Sequence, residues 1–282
     1  MPDKKMPEPE ISEDEVARSN SLTPTTRAAL EVLHTAADPR LTEDFALSLL
    51  KRPDLHPQVL EQLSKNASVN KSRKIRIALA SHPHTPRHVS VPLARQFYTF
   101  DLMKVALSPG VPADVKVAID DILIARLEMV TIGERLTLAR RASGRVAAAL
   151  LVDTEKATGQ LIEGEITDRK VSSPQTRVTQ AALDNSRLTE ALVINSVLHA
   201  ATGAALVRAV ARHEKWSPRK EIRAALLRTE YLSLASALAF ARTISPPVLR
   251  EILQSSRLPE KIKDQLLREC SCGDALGANL RH

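Results

Sequence analysis

One local pattern recurs along most of this chain and constrains its fold more than any other feature. A small polar or β-branched residue, often beside a proline, opens a run of about 10 to 14 residues in which apolar side chains recur at helical spacing. Starts of this kind occur at Thr23-Pro24, Thr42-Glu43, His56-Pro57, Thr85-Pro86, Val111-Pro112, Thr189, Ser217-Pro218, Ser233, Pro246-Pro247 and Pro259. A proline at the first helical position removes no intrahelical hydrogen bond, so these sites predict helix starts. Alternating strand patterns are almost absent, and the predicted fold class is therefore all-α.

The short helical runs also repeat one another at a fixed distance. Arg40-Leu41-Thr42-Glu43 recurs as Arg187-Leu188-Thr189-Glu190, an offset of 147 (188 − 41). With the same offset, Ile75-Arg76 falls on Ile222-Arg223 and Arg95 falls on Arg242. A finer spacing of 44 residues separates the helix start at Leu41-Thr42 from the one at Thr85-Pro86. A helical period of about 40–47 residues predicts repeats of HEAT or armadillo size.

The turns between these short helices carry a resemblance to a known repeat type. With turns such as Asp38-Pro39-Arg40-Leu41-Thr42-Glu43 and Ser81-His82-Pro83-His84-Thr85-Pro86, the chain resembles HEAT-like repeats of the leucine-rich-repeat-variant type over roughly residues 38–268. The resemblance implies a right-handed α-solenoid, which we expect to contain about six to eight helical pairs, capped by helices at Arg18–Ala37 and Pro259–Cys270. One repeat variant of this type carries an N-terminal cysteine cluster that holds an iron–sulfur centre. This chain has no cysteine before Cys270, so no cofactor is carried over from the resemblance.

The composition fits stacked short helices. The chain is 43% hydrophobic but only 2% aromatic, so its core must be built from Ala, Leu, Val and Ile. Facing helices pack closely when such small and aliphatic side chains lie between them. The scarcity of rings also weakens functions that depend on them, such as stacking on nucleic-acid bases.

Three features bear on where the protein works. The longest apolar stretch, Val146–Val152, is far below the roughly 18 residues that span a bilayer, so we expect no membrane partner. Met1–Glu15 lacks the apolar core of a signal peptide. Two cysteines cannot staple a chain of 282 residues, so the expected location is the reducing cytoplasm.

The charge is unevenly distributed along the chain. Residues 1–16 carry six acids and two lysines, a net charge of −4, whereas the remainder carries 38 bases and 27 acids, a net charge of +11. We predict a disordered acidic tail over residues 1–20, a solenoid domain over 21–270 and a flexible tail over 271–282. The acidic tail is either a solvated terminus or a shield for the basic body that a partner displaces.

One segment interrupts the repeat. Asp153–Gln175 holds many charges and few large aliphatic residues, and it predicts a long loop over 153–175. Such a loop is either a mobile, neutral insertion or a contact element. It is also a possible hinge between two half-solenoids, which would make the protein an adaptor that docks a partner through the loop.

Few residues suggest catalysis or metal binding. His82, His84 and His88 cluster, but no Cys or nearby acid completes a metal site, so we interpret them as turn residues. Cys270-Ser271-Cys272 holds two thiols with no base partner. Asp120-Asp121 are adjacent on a predicted helix and therefore cannot face each other; we expect one to meet solvent and the other an arginine of a neighbouring helix. No nucleophile triad and no Gly-rich phosphate loop is present in the sequence, so we predict that the protein is not an enzyme.

The basic residues are the best functional lead. They form three runs: Lys71, Arg73, Lys74 and Arg76; Arg140, Arg141 and Arg145, with Arg135 nearby; and Arg219, Lys220 and Arg223, with Arg228 nearby. The first and third runs are equivalent under the offset of 147, so in a solenoid they predict a basic stripe along one surface. The alternative is a solvated helix face on which acids are interspersed. We predict a non-enzymatic protein-binding scaffold with an acidic protein partner, and the alternative is duplex DNA or RNA binding through the stripe.

Overall fold

A computed structural model describes residues 24–159 and 173–278 of the chain, with side chains for residues 30–153 and 173–269. These residues form 16 α-helices and no strand, which confirms the all-α prediction. The helices are α1 Pro24–Ala37, α2 Glu43–Leu50, α3 Pro57–Lys65, α4 Arg73–Ser81, α5 Arg87–Ala94, α6 Thr99–Leu107, α7 Ala113–Ala125, α8 Ile132–Arg141, α9 Gly144–Gly159, α10 Pro174–Leu183, α11 Glu190–Leu198, α12 Ala204–Arg212, α13 Lys220–Leu227, α14 Leu234–Ala241, α15 Pro246–Gln254 and α16 Glu260–Ala278. A short 3-10 helix, Leu127–Met129, lies between α7 and α8.

The helices begin where local side-chain chemistry satisfies their first N–H groups. The Thr42 hydroxyl accepts a hydrogen bond from the Phe45 N–H, which caps α2. Thr131 and Glu134 form a reciprocal capping box at the start of α8. Pro57 and Pro246 occupy first helical positions, as their fixed φ angle and missing N–H allow. Every predicted start therefore lies within two residues of an observed helix start.

The offset of 147 residues extends well beyond the sequence matches that indicated it. Six consecutive helices, α2 to α7, begin 147 residues before α11 to α16, respectively. Equivalent core positions are buried in both sets, as at Ile75 and Ile222 or Leu102 and Leu249. The chain thus contains an internal repeat whose helix boundaries and buried positions both coincide.

Packing joins most of the described helices to neighbours one or two places along the chain. Contacts between helices two places apart are made by α1 with α3, α2 with α4, α8 with α10, α9 with α11, α10 with α12, α11 with α13, α13 with α15, and α14 with α16. Two helices span 30 residues from Glu43 to Arg73 and 26 from Arg73 to Thr99, so one pair of helices is shorter than the predicted period of 40–47 residues. The spacing of 44 residues instead joins helix starts three places apart, as from Glu43 to Arg87.

Buried polar side chains tie successive turns together. We call five of them tie residues: Asn66, His82, Asn185, His213 and Ser256. Each one accepts a hydrogen bond from the backbone N–H two residues later, and each also bonds an oxygen of a helix end or turn further back in the chain. Each tie therefore satisfies a turn N–H and an acceptor near an earlier helix end, groups that are costly to leave unpaired in a protein interior.

The chain divides into two compact units, each with its own core. The first runs to Asp101 and adds Ser108–Lys116, whereas the second contains Leu102–Leu107 and the chain from Val117 onward. The boundary between the two units lies at residues 101–117. A hinge in the 153–175 segment stays a prediction, because residues 160–172 lie outside the described residues. Leucine and isoleucine dominate the largest fully buried side chains, and Trp216 is the one aromatic residue among them, as the composition predicts.

The predicted loop and C-terminal tail are both shorter than expected. Helix α9 continues to Gly159 and α10 begins at Pro174, so residues 153–159 are helical and 160–172 lie outside the described residues. Helix α16 continues to Ala278, so the tail predicted from residue 271 is wrong for 271–278. Thr154–Gly159 offers no large aliphatic residue to extend the apolar pattern, yet helix propagation needs only backbone hydrogen bonds and tolerant side chains. The acidic tail predicted over residues 1–20 also lies outside the described residues.

The described helices include none that combines the length and the apolar character needed to cross a bilayer.

Candidate functional site

Most cations of the first basic run already have partners in the first unit. Both Arg73 nitrogens Nε and Nη2 lie 2.8 Å from the carboxylate oxygens of Asp101, a bidentate pair that raises the pKa of the guanidinium. Arg76 donates to the Gln96 side-chain oxygen at 3.2 Å. Lys74 lies 3.9 Å from Glu43, and Lys71 is exposed with no ion pair among the described residues. Arg73 and Lys74 therefore face carboxylates, whereas Lys71 and Arg76 have no counter-charge among the described residues, because Gln96 is neutral.

The third run, in the second unit, is similar. Arg219 Nη1 lies 2.6 Å from Glu190 Oε2, and Arg223 Nε donates to the Ser217 carbonyl at 2.7 Å. Lys220 is exposed and has no ion pair within the described part of the chain. Arg76 and Arg223 occupy the same position of the equivalent helices α4 and α13, as the offset predicts. Both guanidinium groups form hydrogen bonds inside their own unit, Arg76 to Gln96 and Arg223 to the Ser217 carbonyl.

The middle run divides into paired and unpaired arginines. Arg145 Nη2 lies 2.8 Å from Asp121, and Arg135 forms a largely buried pair with Asp153 at 2.6 Å. Arg140 and Arg141, at the C-terminal end of α8, are exposed instead, and no described carboxylate pairs with them. The free positive charge of this run is concentrated at that helix end.

Ties bring Arg187 close to this helix end and connect the end of α12, which carries Arg212, to the turn after α10. Asn185, which follows α10, donates to the carbonyls of Ala139 and Ala142 at 2.7 and 3.2 Å, and this fixes the turn against the end of α8. Arg187 Nη1 then reaches the Arg141 carbonyl at 3.3 Å. His213 Nε2, next to the end of α12, lies 3.1 Å from Asp184 Oδ1.

We call the resulting surface the arginine edge. It consists of Arg140, Arg141, Arg187 and Arg212 at the stacked ends of α8, α10 and α12. All four are exposed, and none forms an ion pair within residues 30–153 and 173–269. The nearest acid in the tie network, Asp184, already bonds His213 and Gln180. An edge of this kind can bind carboxylate or phosphate groups through charge-assisted hydrogen bonds.

Sequence reasoning identified Arg140 and Arg141 but missed Arg187 and Arg212. The latter two are not in basic runs, so no local charge pattern marks them. Packing of turns distant in sequence places Arg187 beside the end of α8 and the end of α12, where Arg212 lies, beside the turn after α10. A usable signal was present in the repeat, because Arg40 and Lys65 occupy the equivalent positions 147 residues earlier and are also exposed cations.

The adjacent carboxylates Asp120 and Asp121 differ from expectation. Asp121 is exposed and is also the one that pairs with Arg145. Asp120 is buried, its Oδ2 accepts a hydrogen bond from Ser143 at 2.8 Å, and its Oδ1 has no hydrogen-bond partner among the described residues. Burial raises the pKa of the Asp120 carboxyl. The two groups therefore have separate environments.

The three clustered histidines form separate contacts: His82 and His84 lie in the turn before α5, and His88 lies in α5. His82 Nε2 lies 2.8 Å from the Arg52 carbonyl, and His84 Nδ1 lies 3.1 Å from the Leu55 carbonyl. His88 Nε2 lies 3.2 Å from Glu61. Among the described residues, no group of three His, Cys, Asp or Glu side chains is arranged to hold a metal ion. The side chains of Cys270 and Cys272 lie outside the described set.

The second unit also contains a cleft of about 430 Å³ between the end of α7, the 3-10 helix, α9 and α11. Its lining is largely aliphatic, with Ile124, Ala149 and Val152 among the contributing side chains. Arg135 holds the 3-10 helix against α9 at one side of the cleft, because it donates to the Leu127 and Val130 carbonyls as well as to Asp153. The cleft has the size and character of a pocket for an apolar group.

Comparison with family models, with curated proteins and with solved structures gives no match to this chain.

Proposed function

We propose that this protein is a right-handed α-solenoid that serves as a non-enzymatic protein-binding scaffold and binds an acidic protein through the arginine edge. Packing between helices two places apart, with ties between their ends, supports the solenoid, because each repeat of a solenoid buries its apolar face only against its neighbours. The observation that carries the binding proposal is the set of four exposed arginines near the ends of three packed helices, none of which forms an ion pair among the described side chains. Guanidinium groups favour bidentate contacts with carboxylates, which acidic proteins supply.

A protein partner explains both the arginine edge and the aliphatic cleft of the second unit, whereas a nucleic acid explains only the arginine edge. The aliphatic cleft of about 430 Å³ offers a place for an apolar side chain, which a protein has and a phosphate backbone lacks. The arginine edge itself contains no aromatic side chain on which a base could stack. Duplex DNA or RNA remains the second candidate, because exposed guanidinium groups also bind phosphates.

The test measures binding of a labelled poly-glutamate peptide and of a labelled DNA duplex to the full chain. We expect Arg141→Gln with Arg187→Gln to weaken peptide binding about tenfold or more, since a hydrogen bond to a charged group contributes about 1.5–3 kcal/mol. The matched control is Arg145→Gln with Arg219→Gln, which removes the same charge from the same unit at paired positions. This control should change the affinity by less than about threefold.

The two candidates give different results. An acidic-protein site predicts that the peptide binds more tightly than the duplex. Tighter binding of the duplex would favour nucleic acid. In that case the slope of log K against log salt concentration should become shallower by about 1.8 in the Arg141→Gln with Arg187→Gln variant, which loses two phosphate contacts. Equal losses in the edge variant and the control would contradict a role for the arginine edge, and no binding of either probe at low salt would contradict both functions.

A further inference from the structure

We propose that a second cleft, distinct from the arginine edge and adjoining the aliphatic cleft at His199, which lines both, binds a small oxyanion group, either a phosphate or a carboxylate. The cleft has a volume of about 250 Å³ and lies where α11, α13 and α15 end. This volume is below the roughly 300–1,000 Å³ of pockets for drug-sized ligands, so it suits one small ion or one chemical group. The proposal does not depend on the scaffold function.

Two arginines line the cleft from neighbouring turns. The Arg257 N–H donates to the Arg228 carbonyl at 3.1 Å, so the backbones of the two residues are in direct contact. Arg228 Nε lies 3.4 Å from the Ser255 hydroxyl oxygen, which also lines the cleft. The remaining donors of both guanidinium groups have no protein acceptor within the described residues. An oxyanion is the ligand class that such paired donors bind best.

A third donor comes from the end of α11. His199 lines the same cleft, and its Nδ1 accepts the Ala201 N–H at 3.1 Å. In the neutral ring the hydrogen is therefore on Nε2, which can donate to a ligand. By contrast, the hydroxyls of Thr202 and Thr229 already donate to backbone carbonyls, so they offer lone pairs and no hydrogen.

One acid lies at the cleft and does not cancel its charge. Glu230 is exposed and forms no ion pair with Arg228 or Arg257, although all three line the same space. The two cations therefore exceed the one anion, and Glu230 should repel a bound oxyanion without blocking it. This arrangement predicts that removing the Glu230 charge strengthens binding.

The experiment titrates the full chain with inorganic phosphate and, separately, with malonate, and follows amide resonances by NMR. We expect saturable shifts at residues 228–231 and 257 with at least one of the two probes. Arg228→Gln with Arg257→Gln should weaken that binding about tenfold or more. Arg250→Gln with Arg268→Gln removes two exposed arginines of the same unit and should leave the affinity within about twofold.

A role in stabilising helix ends predicts a different pattern. Arginines near helix C-termini also interact favourably with the terminal carbonyls, which affects stability but creates no oxyanion site. Glu230→Gln keeps both arginines, so it tests binding even if the double variant does not fold, and we expect it to tighten binding by about twofold to fivefold. Saturation by phosphate alone identifies a phosphate site, and saturation by malonate alone a carboxylate site. Shifts scattered over the whole basic surface, weakening by Glu230→Gln or no saturation by either probe would overturn the proposal.

Discussion

Replacing the tie residue Asn185 with alanine should destabilise the second unit strongly. The side chain is 2% exposed and makes three hydrogen bonds: to the Ala139 and Ala142 carbonyls and from the Arg187 N–H. Asn185→Ala leaves these three groups without that partner. A buried group that loses its partner costs about 1–3 kcal/mol, and partial hydration reduces the sum, so we expect a loss of about 3–5 kcal/mol.

The lone tryptophan provides the assay. Trp216 is buried in the second unit and donates to the Leu183 carbonyl at 2.8 Å, so its fluorescence reports unfolding next to the altered turn. For a urea m-value of about 2 kcal/mol per M, the unfolding midpoint should fall by about 1.5–2.5 M. Asn195→Ala is the control, because Asn195 is exposed and has no hydrogen bond among the described side chains. A midpoint within about 0.5 M of this control would refute the reasoning.

Three further predictions concern stability, all measured by urea unfolding. Gly144→Ala should destabilise the protein by about 1–3 kcal/mol, because the new Cβ would lie 2.2 Å from the Arg187 carbonyl oxygen. Gly133→Ala, a helical glycine with nothing within 4 Å of the new Cβ, should instead stabilise it by about 0.5–1 kcal/mol, and the same sign for both variants would contradict this account. Because burial raises the pKa of Asp120, the folded state holds that proton more tightly than the unfolded state, and stability falls as pH rises from the ordinary value of 3.8 through the folded pKa. The advantage of Asp120→Asn over the native protein should therefore grow as the pH rises from below 3.8 to neutral, and an advantage equal at every pH would argue against this cause. His82→Asn should retain most of the stability that His82→Ala loses, since asparagine makes the same tie at positions 66 and 185. Equal losses in the two variants would show that asparagine does not restore the tie at position 82.

The parts of the fold that depend on nearby residues were predictable from the sequence. Helix starts follow from a capping hydroxyl such as that of Thr42, or from a proline such as Pro57, and both act within one helical turn. The internal repeat was visible because apolar side chains recur at equivalent buried positions, as at Leu63 and Val210. These signals can be identified without knowing which helices pack against each other.

Only half of the candidate site was predictable, because it depends on contacts between residues that are distant in the sequence. Basic runs mark where cations are frequent, but three-dimensional contacts decide which of them remain free. Arg73 looked available in the sequence, yet Asp101, 28 residues later, neutralises it. Arg187 looked isolated, yet it reaches the carbonyl of Arg141, 46 residues earlier. The length of α9 escaped prediction because the apolar pattern stops at Val152, whereas the helix continues to Gly159.

The tie residues set a rule for how such a chain can change its length. Each tie joins a turn to an earlier helix end or turn, as Asn66 joins Ala36 and His82 joins Arg52, and it does so across two helices. Loss or duplication of a whole pair would bring the next tie opposite an equivalent oxygen, so the ladder of bonds would close again. Loss of one helix alone would reverse the chain direction and leave a tie facing the wrong end. Inside a run of tied helices such as α1–α4, insertions and deletions in relatives of this protein should therefore come in steps of two helices. The rule does not extend to the whole chain, because the equivalent helices α2 and α11 lie nine helices apart.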